Sequence, residues 1–353
     1  MMKPIVKLVD KLDRKEIQNW ENFLLENDGG NILQSSLMGE VFESTGFDWN
    51  LVVGKQNDSI IGGALSTIWP GGKFKVLNRF STFKTTYGPI VVEREDKEKV
   101  ALEILKKIEQ IILQRGGMKH IVLSKDGWLC NGIEHLGYGI VPKVVGCTFI
   151  INLRLSEDEL WRNLNKGFKR CVKSAEKYNI EIKEAQSDDS PLIMHKLNVD
   201  MSRRLKIPPD PLSYLESIWN NLCRKGFAKF FFAYFQGKPV AGSIILLYKK
   251  DIFAYSTFVR KSAIALNPNQ MLKWFVIQWG KEHGYDFLDL LFAPSGTCRG
   301  NPTWGLYFFK KTLGGKEIPV YYYEKDYSVK KVLLWNKLVI PVYNRIMSAS
   351  EVF

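Results

Sequence analysis

Apolar and polar positions follow one sequence of patterns twice along this chain. Residues 49–68, WNLVVGKQNDSIIGGALSTI, read as two strands around a polar turn at Gln56-Asn57-Asp58, the second strand carrying Gly62-Gly63. Residues 229–248, KFFFAYFQGKPVAGSIILLY, read the same way, with the turn at Gln236-Gly237-Lys238 and Gly242 near the matching place. An amphipathic helix follows the first hairpin: KEKVALEILKKIEQIILQRGG is apolar at 100, 101, 104, 105, 108, 111 and 112, and the buried strand HIVLS comes next. In the second half the helix is NPNQMLKWFVIQWGKEHG and the strand YDFLDLLF. Asn267 is the expected N-cap, Pro268 the first helical residue, and Gly284 the stop. This helix is apolar around most of its circumference, and Gln270, Lys273, Gln278 and Lys281 form its polar strip, so it is expected to lie against a sheet.

Each half ends on Leu-Gly and a further strand, in HLGYGIVPKVVGCTFIINL (135–153) and in TLGGKEIPVYYYE (312–324). The order predicts an internal duplication. The competing reading is that any α/β chain yields hairpin, helix and strand in succession. Duplication divides the chain into residues 1–150, completed by a C-terminal segment 327–353, and residues 151–326.

A length of 353 residues suits two domains, and 45% hydrophobic with 13% aromatic content is enough for a core in each. Fifty Lys and Arg against 37 Asp and Glu leave a formal charge of +13, which favours phosphates, nucleic acid or anionic headgroups as partners. Five scattered cysteines without a Cys-x-x-Cys, and four histidines without a His-Glu-x-x-His, suggest neither a disulfide framework nor a metal site. The charged start MMKPIVKLVDKLDRKE lacks a signal-peptide core and no apolar run reaches membrane-span length, so the cytoplasm is the expected location.

Antiparallel hairpin, helix and strand, in tandem, is the element order of the GNAT acyltransferase fold, and the series resembles the FemABX family of aminoacyl transferases. The likeness is carried by NLNKGFKRCVKSAEKYNIEI, GKPVAGSI, LNPNQMLKWFVIQWGKEHGYDFLDL and GLYFFKKTLGG over roughly residues 160–325, and more weakly by NILQSS and RFSTFKTTYGPIV in the first half. The resemblance implies an α+β fold of two GNAT-like domains with mixed sheets, flanking helices and a cleft. It implies transfer of an acyl or aminoacyl group to an amine of a cell-envelope precursor or polymer. The donor would be aminoacyl-tRNA, or less favourably acyl-CoA, with no tightly bound cofactor. Residues 201–222 hold no heptad run for the coiled-coil arm of some members. Met38 and Phe42 stand where cell-wall members place Trp and Lys, and VRKSAIALNPN (259–269) has no glycine of a pyrophosphate loop, although the Asn267-Pro268 helix start still presents free N–H groups.

Amine attack on an ester or thioester carbonyl needs donors for the oxyanion and a route for the proton, and no covalent nucleophile. In GLYFFKKTLGG, Leu306, Phe309 and Leu313 fall on one helical face with Lys310 and Lys311 beside it. Both lysines also suit a solvated helix C-terminus. The resemblance places Lys310 in the cleft, against phosphate or the developing oxyanion, and Lys310 is taken as the catalytic cation; Trp304 is taken as a substrate contact. Asp289, in a strand of Phe and Leu, is expected to orient Lys310 or receive a proton; the alternative is a strand-end carboxylate facing solvent or capping a loop. Tyr255, beside Ser256, either faces the donor or simply points outward. Lys166, Arg170, Lys173 and Lys177 form a basic stripe that is either a solvated face or a contact for tRNA or a phosphorylated carrier. Arg203 and Arg204 lie near the family's acceptor-phosphate arginine, and Arg79 with Tyr87-Gly88-Pro89 match the block lining the acceptor cleft. The C-terminal run DYSVKKVLLWNKLVIPVYNRIMS either packs on the first domain or, being basic and amphipathic, touches a membrane surface. The rival functions are an acyl-CoA-dependent GNAT transferase acting on an amino sugar and a non-catalytic, basic RNA-binding protein.

Overall fold

A computed structural model describes residues 4–69, 80–125, 127–140, 146–294, 303–339 and 341. The described residues within Met1–Val145 and Val320–Tyr343 form one compact unit, and those within Gly146–Pro319 form another. No helix among the described residues is long and apolar enough to cross a membrane.

In the first unit β1 (Ile5–Leu8) is followed by α1 (Arg14–Glu26), α2 (Ser36–Ser44), β2 (Asp48–Gln56), β3 (Ser59–Trp69), β4 (Thr82–Thr86), β5 (Ile90–Val91), α3 (Lys97–Arg115), β6 (Lys119–Ser124), α4 (Cys130–Ile133) and β7 (Gly139–Ile140). The second unit runs through β8 (Gly146–Asn152), α5 (Glu157–Asn163), α6 (Lys166–Lys177), β9 (Glu181–Glu184), α7 (Ser190–Leu205), α8 (Leu212–Ile218), β10 (Ala228–Phe235), β11 (Lys238–Tyr248), β12 (Asp251–Val259), α9 (Pro268–Glu282), β13 (Phe287–Asp289), β14 (Ala293–Pro294) and α10 (Trp304–Lys311). Strand β15 (Lys316–Asp326) and helix α11 (Val329–Leu334) follow.

Both predicted hairpins form, and each reverses through two residues of positive φ, Asn57 and Asp58 in one and Gln236 and Gly237 in the other. That geometry matches the right-handed twist of the flanking strands. Each sheet has three antiparallel joins followed by one parallel join, β1-β2-β3-β4 to β6 and β9-β10-β11-β12 to β13. A long helix bridges each parallel pair, because strands running the same way need a crossover. All seven apolar positions expected on α3 are buried, and Gly116 ends the helix in the left-handed conformation.

The closing strands depart from the expected division. Strand β8, expected at the end of the first domain, pairs with β13 and β14 of the second unit. Strand β15, expected to end the second, pairs from Tyr321 onward with β6 of the first unit. Each closing strand thus pairs outside the half to which the expected boundaries at 150 and 326 assign it, and the compact units divide after Val145 and after Pro319. Helix α11 buries Val332, and Trp335 just beyond it packs with Met118, Trp69 and Phe80, so this part of the C-terminal run packs on the first unit.

Candidate active site

Strands β12 and β13 stay paired for three residues only, Asp251 to Phe253 against Phe287 to Asp289. Beyond that point the two chains part, and a cavity of about 300 Å³ opens in the second unit, lined by Ala254–Thr257 on β12, by Asn269 and Lys273 on α9, by Leu290, and by Leu306, Phe309, Lys310 and Leu313. Four consecutive residues of one strand line it because Tyr255 is bulged out of the ladder between Ala254 and Ser256. A bulge re-aims side chains, and here it turns the edge of β12 toward the opening.

Positions 306, 309, 310 and 313 are one helical face. Lys310 therefore points inward, and its Nζ donates to the carbonyl oxygens of Leu291 (3.1 Å) and Phe292 (2.9 Å). Burial lowers its pKa to about 8, against the opposing pull of the Asp289 carboxylate. Lys311, one residue on, is exposed and reaches the Tyr307 hydroxyl at 3.3 Å. Asp289 is 3% exposed. It accepts from the Thr148 hydroxyl and, at 2.7 Å, from the Leu291 N–H, folding the turn in which Leu291 adopts φ +59°. Its carboxylate thus shapes the loop whose carbonyls grip Lys310, which combines the orienting and loop-capping alternatives and excludes the solvent-facing one.

Lys273 is the residue that the hydrophobic pattern misassigned. Expected on an exposed polar strip, it is 7% exposed. Its Nζ donates to Thr257 Oγ1 at 2.7 Å, with Ser243 Oγ at 3.4 Å, and those two hydroxyls face each other across β11 and β12 at 3.1 Å. Burial, with the nearby Lys310 charge adding to it, brings its pKa down to about 7. The available signal was its own helix: Val276, Ile277 and Gly280, three, four and seven residues on, are all buried, so position 273 shares the inward stripe. Tyr255 bonds the Tyr214 hydroxyl, and burial pushes its own hydroxyl up to about 12.

Residues 161–304 match the family model described as an acetyltransferase (GNAT) domain. The fold is that of FemX. The FemX crystal structure superposes with a TM-score of 0.71 at 13% identity, over 94% of this chain and 99% of that one. A tandem GNAT protein from the clavulanic acid biosynthesis pathway follows at 0.59 and 9% identity, covering 92% and 98%. The C-terminal domain of a putative lysylphosphatidylglycerol synthetase from Agrobacterium fabrum gives 0.58 at 11%, covering 92% and 96%. No curated protein sequence matches the chain.

On this FemX-like frame the remaining expected residues scatter. Lys310 and Tyr255 meet at the cavity with Asp289 behind them, whereas Lys166, Arg170, Arg203 and Arg204 are exposed and do not line it. Asn267 has φ +58° and turns its amide back to the Ala265 carbonyl, so it does not cap α9 through its side chain as expected. The left-handed backbone, which Asn tolerates, directs the amide away from the helix N–H groups. Trp304 stacks on Phe308, ring centroids 5.5 Å apart, outside the cavity lining. Tyr87 is 5% exposed in the first unit, with the Lys125 ammonium 4.2 Å over its ring and its carbonyl bonded by Asn31. Arg79 lies outside the described residues. Asn269, Thr257 and Ser243 were not foreseen.

Proposed function

We propose that this protein is an N-acyltransferase whose second unit passes an acyl or aminoacyl group from an ester or thioester donor to an amine of a cell-envelope precursor or polymer. The observation that carries the reading is a half-buried ammonium, Lys310 Nζ, lining a cavity between parted strands. Attack by the amine nitrogen forms the C–N bond and moves the carbonyl pair onto oxygen. Lys310 would face that developing charge, with partial burial strengthening the attraction. Collapse re-forms the carbonyl and breaks the bond to the donor's oxygen or sulfur, which leaves with the proton lost by the amine.

The GNAT domain match supports acyl transfer in general, and the likeness to FemX and to a lysylphosphatidylglycerol synthetase domain supports the aminoacyl form. The edge of β12 beyond Phe253, free of β13, suits an extended donor arm of either kind. The test is amide formation by the full chain, offered aminoacyl-tRNAs and acyl-CoAs against a panel of amino sugars, lysyl peptides and aminoacyl lipids. An amide product with one pair is expected, and Lys310→Ala should lower kcat roughly 100- to 1,000-fold. Unchanged turnover in that variant removes Lys310 from the chemistry. Release of free CoA with the amide assigns the donor to acyl-CoA.

A further inference from the structure

The cavity holds a second amine that the oxyanion does not need. We infer that Lys273 is the proton acceptor of the transfer, taking a proton from the attacking amine and returning it to the departing oxygen or sulfur while Lys310 remains the cation. The inference rests on the acyl-transfer reading and adds the proton route to it.

The two lysines face opposite partners. Lys310 is bonded by two carbonyl oxygens, which only accept, and the Asp289 carboxylate favours its charged form. Lys273 meets two hydroxyls, Thr257 and Ser243, which accept from an ammonium or donate to the lone pair of a neutral amine. No carboxylate acts on Lys273 in the way that Asp289 acts on Lys310, and the nearest influence is the repelling charge of Lys310. The other ionisable group on the cavity wall is the Tyr255 hydroxyl, held neutral by burial. Carbonyls that only accept hold one amine as the cation, and hydroxyls that also donate leave the other able to take a proton.

A second observation bears on what Lys273 would receive. Asn269, one turn earlier on α9 and also lining the cavity, has a buried Oδ1 with no hydrogen-bond partner. An unpartnered acceptor one helical turn from an amine that can be neutral gives the cavity wall two acceptors, complementary to the N–H bonds of an incoming amine. The steps balance. The nucleophile's nitrogen bonds the carbonyl carbon, its N–H proton moves to Lys273 Nζ, and the C–O or C–S bond of the donor breaks. Lys273 then gives the same proton to that leaving atom and returns to its starting state.

Two measurements on the full chain test this. The first is competitive labelling with trace acetic anhydride from about pH 5 to about pH 10, read lysine by lysine by peptide mass spectrometry. Lys273 is expected to reach half-reaction near pH 7, far below the exposed lysines, and to move upward in Lys310→Met. Titration of Lys273 together with the exposed lysines overturns the inference. The second uses the donor and acceptor pair that gives amide product. Lys273→Met and Lys273→Arg should both lose about 100-fold or more in kcat and the rise of rate with pH through neutrality, since arginine keeps charge and donors but cannot accept a proton. Wild-type-like profiles in Lys273→Arg assign the residue a structural role and overturn the inference, leaving acyl transfer standing. Absence of amide with every pair sinks the acyl-transfer reading and this role with it.

Discussion

Lys310 and Lys311 are neighbours in sequence and differ in everything that matters to chemistry, because successive helical residues point about 100° apart. One is gripped by two carbonyls at a cavity wall, and the other is exposed beside Tyr307. Lys273 carries the clearer thermodynamic consequence. Its pKa is about 7 in the fold against an ordinary value near 10.5, so the unfolded chain binds more protons between those limits and stability falls as pH drops from about 10.5 to about 7. Lys273→Met, which keeps the apolar stem and deletes the amine, should therefore stabilise the chain by on the order of a few kcal/mol below pH 7, the gain shrinking toward pH 10. Thermal melts of both proteins across that range check the sign. A Tm difference that grows with pH would mean that Lys273 is charged and well paired in the fold.

The elements place these residues by departing from regularity. Strand β12 outlasts its pairing with β13 and bulges at Tyr255, and both irregularities face the cavity. Helix α9 presents Asn269 and Lys273 from an otherwise apolar stripe, a local conflict between pattern and residue type of the kind that marks working sites. Helix α6 is regular, with Phe168, Val172 and Ala175 buried and Lys166, Arg170, Lys173 and Lys177 exposed along the other side. This stripe is either solvated or a contact for a polyanionic donor. With tRNA as donor, changing all four to Ala should weaken binding across tRNA species and flatten the log–log salt slope by about 3 to 4, near 0.9 per lost phosphate contact. Filter binding over a salt series measures it, and an unchanged slope leaves the stripe to solvent.

The closing strand β15 ties the first unit to residues late in the chain. The first unit takes its last strand from the far end of the chain, where Val320 and Tyr323 are buried and Trp335 packs on Met118. A chain stopped after residue 319 leaves β6 without the partner strand that covers one edge. It should lose amide hydrogen-exchange protection along β6 and α3, while the β10–β11 hairpin keeps its own. Retained protection in β6 would show that the first unit folds without β15.

Periodicity and turn chemistry were enough to read the hairpins, the long helices α3 and α9 and the repeated order, because these depend on neighbours a few residues away. The same local rules placed Lys310 on or beside an apolar face and marked Asp289 as a charge among Phe and Leu. They could not say which sheet each closing strand joins, since β8 and β15 carry equally good strand patterns and only hydrogen-bond partners distant in sequence distinguish them. They also put Lys273 on the wrong side of its helix, because a lysine counts as polar until packing buries it. The hydroxyls of Ser243 and Thr257, from strands up to 30 residues away, supply the partners that make that burial tolerable.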